Sequence, residues 1–211
     1  MSVLQEISEY LQKGKAPKVK ELVQQAIDEG LSPQDILENG LLAGMNVVGQ
    51  RFKDNEIFVP EVLVAARAMN RGITVLRPLL AAEGVEEKGT VIIGTVKGDL
   101  HDIGKNLVRM MMEGKGLKVI DLGVDVATEA FVEAAIENKA KIIACSALLT
   151  TTMGEMEHVV KAVRASELGG TVKIMVGGAP ITEAFAQSIG ADCYTPDAAT
   201  AAAAALDFCV A

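Results

Sequence analysis

Thr90-Val91-Ile92-Ile93-Gly94-Thr95-Val96, followed at once by Lys97-Gly98-Asp99-Leu100-His101-Asp102-Ile103-Gly104, is the stretch on which the fold turns. The apolar, β-branched run reads as a buried strand. Gly98 interrupts it, and Gly104 lets the chain turn into a helix. The loop therefore lies at the carboxyl end of a strand, where open α/β sheets bind ligands. It presents an imidazole with a carboxylate two residues earlier. A histidine whose other ring nitrogen is held by a carboxylate is a common form of metal ligand. A helix-capping or merely solvated loop histidine is the plainer reading, and the heptapeptide alone leaves both open.

Downstream, strands and helices alternate. The predicted strands are Val91–Val96, Lys118–Leu122, Ile142–Ser146, Lys173–Val176 and Cys193–Tyr194, with helices in the gaps, one capped by Thr128 before Glu129. Ala198–Ala205 is a good helix former that needs no special role. Such alternation implies an α/β fold: a doubly wound, Rossmann-type parallel sheet of five strands in the flavodoxin-like order 2-1-3-4-5. That order makes strands one, three and four neighbours. Their carboxyl ends carry the histidine loop, the hydroxyl-rich Ser146-Ala147-Leu148-Leu149-Thr150-Thr151-Thr152, and Gly177-Gly178-Ala179-Pro180. The three loops should form one crevice with an imidazole, hydroxyls and bare backbone. A glycine pair permits close approach of a ligand.

Upstream the rhythm is helical only. Leu4, Ile7 and Leu11 share a face, as do Val19, Leu22, Val23, Ala26 and Ile27. Ser32-Pro33 reads as a helix start, serine as N-cap and proline in the first turn. Ile36, Leu37, Leu41, Met45 and Val48 should be the buried face of that helix. Pro60 should open a fourth helix with Leu63, Ala66, Met69, Ile73 and Leu76 inward. Four helices with short connections make a bundle. The expected organisation is a helical domain over 1–83, a polar, glycine-containing linker over 84–89, and the α/β domain over 90–211.

Composition narrows the function. Lys+Arg is 20 and Asp+Glu is 28, a net charge of −8, which argues against nucleic-acid binding through a basic face. Aromatics are 3% of the chain and tryptophan is absent, so base-stacking platforms are not expected. No apolar stretch reaches the ~20 residues of a membrane span, and the polar N-terminus does not resemble a signal peptide. Cys145, Cys193 and Cys209 are odd in number and far apart, which fits reduced thiols in a cytoplasmic protein. His158 reads as a surface residue and Met110-Met111-Met112 as core filler. Asp102 either favours the N-terminus of the next helix or contacts a ligand. Phe52 and Val59 would ordinarily be bundle core.

The spacing is recognisable as a whole. Asp-x-His-x-x-Gly at 99–104 is followed by 41 residues, then Ser-x-Leu at 146–148, then 28 residues and Gly-Gly at 177–178. This resembles the cobalamin-binding fingerprint of methionine synthase and of the small corrinoid proteins in methyltransferase systems. The helical half looks like that family's cap, with Gly44-Met45-Asn46-Val47-Val48-Gly49 and Phe58-Val59-Pro60 in family style.

The resemblance implies a cobalamin, cycling between Co(I) and methylcobalamin states, with its nucleotide tail inserted into the α/β domain. By position His101 would be the metal ligand, the lower axial ligand of cobalt. Asp99 would accept its other N–H, and Thr152 would be the third member of a proton relay. Gly98, Asp102, Ile103 and Gly104 would contact the cofactor alongside them. Ser146, Gly177, Gly178 and Ala179 would line the tail slot, flanked by Leu148 and Thr150. Phe52 and Val59 would shield the upper face. The partners implied are a substrate-specific methyltransferase, an acceptor methyltransferase working on a thiol or tetrahydropterin, and a reductive activase. At 211 residues there is no room for substrate barrels of ~250 residues each, so the chain should be a subunit or shuttle, not a complete enzyme, with self-association through the bundle open. The alternative is an adenosylcobalamin-binding module, a mutase subunit or a sensor. A flavodoxin-like phosphate or signalling domain would leave the helical half and the Ser-x-Leu spacing unexplained.

Overall fold

The computed structural model describes residues 2–83 and 87–210. The chain divides into two compact units, one of residues 1–87 with 114–116, the other of 88–113 with 117–211. Of the expected linker, residues 84–86 lie outside the described residues.

In the helical unit, α1 is Val3–Gln12, α2 is Ala16–Asp28 and α4 is Val59–Ala82. Between them α3 runs continuously through Pro33–Asp35, a wider π segment Ile36–Leu42, and Ala43–Lys53. Ser32 caps α3 as expected, its hydroxyl accepting from the Asp35 N–H at 3.1 Å. The π segment explains a spacing that regular periodicity does not. Ile36 and Leu41 are five residues apart, yet both are fully buried, because a π turn takes about one residue more than an α turn. Gly40 and Gly44 let α3 approach α1: a Cβ at Gly44 would stand 3.0 Å from the Ser8 backbone.

On α4 the expected inward face was rotated by one residue at its start. Leu63 is 42% exposed and Val62 is fully buried in its place. Val62, Ala65, Met69, Gly72 and Leu76 are buried and repeat at three- and four-residue intervals. A Cβ at Gly72 would collide with Leu41 Cδ2 at 2.7 Å.

The α/β unit runs β1 (Thr90–Thr95), α5 (Ile103–Glu113), β2 (Lys118–Asp121), α6 (Thr128–Glu137), β3 (Ile142–Ser146), α7 (Met153–Ala165), β4 (Lys173–Gly177), α8 (Glu183–Ile189), β5 (Cys193–Tyr194) and α9 (Ala198–Val210). The five strands are parallel, in the order β2-β1-β3-β4-β5. Ile92, Ile143 and Ile174 lie side by side in register and belong to a core with Phe131, Met156, Val160 and Val163 from α6 and α7. The alternate residues Val91, Ile93 and Ile142 are equally buried, so both faces of the sheet are covered. Gly94 makes room for the largest fully buried side chain. A Cβ there would meet the Phe131 ring at 2.8 Å. Thr128 is the first residue of α6 and not its cap; the cap position is Ala127, with no side-chain hydrogen bond.

Candidate functional site

Asp99 joins the loops that follow β1 and β3. It follows Gly98, whose φ of +80° turns the chain back after β1, and its side chain is fully buried. One carboxylate oxygen, Oδ1, accepts from the His101 backbone N–H at 3.1 Å and meets His101 Nδ1 at 2.7 Å. The other, Oδ2, accepts the Leu148 N–H at 2.7 Å, the Leu149 N–H at 3.2 Å and the Thr152 hydroxyl at 2.9 Å. Burial alone would raise the carboxyl's pKa. The hydrogen bonds donated by Leu148, His101 and Thr152 outweigh it and hold Asp99 well below the usual carboxylate range.

An ionised carboxylate can only accept, so Nδ1 carries the ring proton. His101 Nε2 is then the nitrogen with the free lone pair, on a side chain that is half exposed. The loop is tied down further by Thr95, fully buried, whose hydroxyl donates to the His101 carbonyl at 2.9 Å.

Thr152 stands at the N-cap position of α7 but makes no capping bond. Its Oγ1 lies 2.9 Å from both Asp99 Oδ2 and the Leu149 carbonyl; the single hydroxyl proton serves one of them at a time. A residue type usually spent on a helix terminus is thus turned into the crevice.

The other expected residues sort by what occupies them. Ser146 and Gly177 are register partners on β3 and β4. Among the described residues neither the Ser146 nor the Thr150 hydroxyl has a hydrogen-bond partner. A Cβ at Gly177 or at Gly104 would meet nothing within 4 Å, so both face open space. Gly178 is different: its φ is +137° and a Cβ would fall on the Ala147 carbonyl oxygen, so its glycine is required by the chain itself. Ala179 is exposed beside it. Asp102 starts α5, its carbonyl accepting the Asn106 N–H at 2.8 Å and its carboxylate the Asn106 amide at 3.0 Å. Phe52 and Val59 belong to the helical unit, half-buried at the last turn of α3 and the first residue of α4. Between them Phe58 is 66% exposed.

Sequence reasoning missed two features. The Leu149 N–H is a donor to Asp99 that no side-chain motif could reveal. Leu100 and Leu149 are large, exposed apolar residues on the same two loops as the expected Ile103 and Leu148; Leu100 and Ile103 are 72% and 78% exposed. Apolar residues flanking a histidine at a strand end were the available signal.

These features fit a corrinoid. Among the described residues no three His, Cys, Asp or Glu side chains gather as a metal-binding group. A metal held by His101 would take its remaining ligands from the group that carries it, and the exposed apolar side chains of these two loops suit the face of a macrocycle. The bare backbone at Gly177 and the unpartnered Ser146 hydroxyl suit a polar appendage.

Residues 89–206 match the B12 binding domain family, and residues 3–77 match a second family of the same description. The chain belongs to the B12-binding proteins, and its cofactor is a corrinoid. Over 203 residues it is 42% identical to dimethylamine corrinoid protein 3 of Methanosarcina acetivorans, covering 96% of this chain and 95% of that one. Over 195 residues it is 43% identical to a corrinoid protein of Desulfitobacterium hafniense, covering 91% and 90%. Among solved structures, the methanol:cobalamin methyltransferase complex from Methanosarcina barkeri superposes with a TM-score of 0.88 at 31% identity, over 98% of this chain and 79% of that one. A cobalamin-binding protein from Desulfitobacterium hafniense superposes at 0.80 with 28% identity, over 97% and 98%. The helical unit and the five-stranded sheet thus recur together in corrinoid proteins. No helix among the described residues is long and apolar enough to cross a membrane.

Proposed function

We propose that this protein is a methyl carrier. A substrate-specific methyltransferase would load its corrinoid, and a second methyltransferase acting on a thiol or tetrahydropterin would unload it, with a reductive activase restoring the cofactor after oxidation. The chain would be a subunit or shuttle of that system. The observation that carries the reading is the His101 ring, fixed through Nδ1 to a buried carboxylate with Nε2 free. The relatives named for methylamine and methanol systems support it.

When bound, the corrinoid supplies a cobalt that accepts and releases the methyl group. Everything else falls to the chain. His101 Nε2 would hold the metal as its protein ligand. Asp99 fixes the ring's tautomer and raises the basicity of Nε2. Asp99 Oδ1, 2.7 Å from Nδ1, holds the ring proton on that nitrogen and leaves Nε2 to face the metal. The Thr152 hydroxyl, donating to Asp99 Oδ2, withdraws charge from the same carboxylate and would be the third member of the relay that runs through Asp99 to His101. Ser146, Gly177, Gly178 and Ala179 would line the slot for the nucleotide tail, with Leu148 and Thr150 at its edge. Gly98, Asp102, Ile103 and Gly104 would contact the corrinoid alongside His101, and the resemblance to corrinoid proteins assigns Phe52 and Val59 to shielding the bound group.

The test is to load the apoprotein with hydroxocobalamin, remove free cofactor, and record visible spectra of wild type and His101→Ala. Stoichiometric retention, with a histidine-ligated spectrum lost in the variant, supports the reading. An unchanged spectrum sinks the axial role of His101. Transfer of methyl groups on addition of a methylamine- or methanol-specific methyltransferase separates a carrier from an adenosylcobalamin-binding module, which would give none.

A further inference from the structure

The histidine loop is gripped from a second side, by a turn that belongs to no part of the motif. The turn after β2 contains two residues in left-handed conformation, Gly123 at φ +88° and Asp125 at φ +53°. Left-handed backbone is disfavoured for any residue with a Cβ, and glycine would relieve it. Asp125 instead uses both its backbone and its side chain on the loop. Its carboxylate Oδ1 accepts the Gly98 N–H at 2.7 Å, and its own N–H donates to the Asp99 carbonyl at 3.0 Å. The two bonds clasp the dipeptide that carries the Asp99 side chain.

The turn is itself anchored. The Gly123 carbonyl accepts the Thr95 N–H at 3.0 Å, and the Val126 N–H donates to the Thr95 carbonyl at 3.0 Å. The Gly123 N–H donates to Asp121 Oδ1 at 2.9 Å. Asp121 in turn holds the buried Lys105 Nζ at 2.5 and 2.6 Å, on the first turn of the helix that follows His101. The loop is thus bounded by the Asp99 bonds to the β3 end on one side and by the Asp125 clasp on the other.

We infer that Asp125 is a positioning residue for His101: its carboxylate oxygen, through Gly98, sets the backbone from which Asp99 orients the imidazole toward the metal. The inference rests on the axial-ligand reading of His101. Asp125 is exposed and has no hydrogen bond or ion pair with the imidazole itself; its bonds reach the ring through the Gly98–Asp99 backbone.

Three variants test it in the hydroxocobalamin-loaded protein. Asp125→Gly keeps the left-handed backbone and the N–H donor and removes only the carboxylate. Asp125→Asn keeps an acceptor oxygen and tolerates the same backbone. His101→Ala marks the fully unligated spectrum. The readout is the equilibrium constant for histidine ligation, taken from the visible spectrum over a temperature range, together with bound corrinoid per chain and the melting temperature of the apoprotein. The expected result is a ligation constant reduced about 10-fold in Asp125→Gly, near wild type in Asp125→Asn, with corrinoid still retained in both. A role in folding alone would lower the melting temperature and leave the ligation constant unmoved; that result, or equal losses in the glycine and asparagine variants, overturns the inference. An unchanged spectrum in His101→Ala overturns the axial reading, and this inference with it.

Discussion

The two units bury different things. Among the described residues, the buried side chains of the helical unit are apolar, from Ile7 and Leu11 to Met69 and Leu76. The α/β unit buries four polar or charged side chains, Thr95, Asp99, Lys105 and Thr152. All four serve the loop that carries His101: Thr95 and Asp99 hold it directly, Thr152 holds Asp99, and Lys105 holds the turn that braces it. A buried polar group is costly unless its partners are supplied. A set of such groups converging on one exposed imidazole therefore marks the place where the fold is committed to something other than its own stability. The helical unit, built from apolar packing and glycine contacts, carries no such mark.

The comparison can be broken at its centre. Asp99→Ala removes the acceptor of Leu148, Leu149, Thr152 and both His101 donors at once, and should cost the α/β unit about 3–5 kcal/mol, read from urea unfolding of the apoprotein. A loss no larger than that of a surface substitution would show that the polar network is not what holds the loop. In the helical unit, Leu41→Ala leaves a cavity at the π segment and should cost about 2–5 kcal/mol, with the histidine-ligated spectrum unaltered in whatever protein stays folded. A spectral change there would erase the distinction between the two units.

Thr152 sharpens the contrast further. Thr152→Val keeps the shape and removes a hydrogen bond to a charged group, an expected loss of about 1.5–3 kcal/mol, while Thr152→Ser should remain close to wild type by the same unfolding measurement. The smallest effect concerns a buried group outside the network. Cys145 is 3% exposed, and burial pushes its thiol up to about 12. The unfolded chain releases that proton near pH ~8.5, whereas the folded state holds it until about pH 12. The folded state then binds more protons, so this contribution to stability is full below the unfolded value and is lost as pH rises toward the folded one. Cys145 should accordingly resist alkylation in the native protein at pH 8, and stability should decline above pH ~9 less steeply in Cys145→Ala. Labelling of Cys145 at the rate of an exposed thiol would refute its burial.

Much of the fold was legible because its signals are local. All five expected strands appear, two with the expected ends and three shifted by one residue: β1 runs Thr90–Thr95, and Val96 makes only an isolated bridge to Val126. The order β2-β1-β3-β4-β5 is the flavodoxin-like one expected from the alternation of strands and helices. Errors arose where two neighbours of similar character competed. Leu63 and Val62 are both apolar, and only packing against α2 and α3 chooses the inward one. Thr128 is a good cap by type, but the helix begins one residue earlier than a capping threonine would allow. At the candidate site, the motif and the resemblance it carries named Asp99, His101 and Thr152, and Asp99 lies within hydrogen-bond reach of both of the others. The spacing also named Gly177 and Gly178 as a pair, and the structure gives them separate reasons, open space for one and the Ala147 carbonyl for the other.

By itself the sequence determined the element types, the sheet order and the side chains that meet at the strand ends, because hydrophobic period and glycine punctuation are properties of short segments. Tertiary structure alone decided what holds those side chains. The Asp99 carboxylate reaches a backbone N–H 49 residues away, and the Gly98 N–H finds its acceptor 27 residues away. Backbone donors carry no residue signature, and an exposed aspartate in a turn looks like any other. Asp125, Leu149 and the Lys105–Asp121 pair acquire their meaning only when β1, β2 and β3 have come together and brought their loops within hydrogen-bond distance.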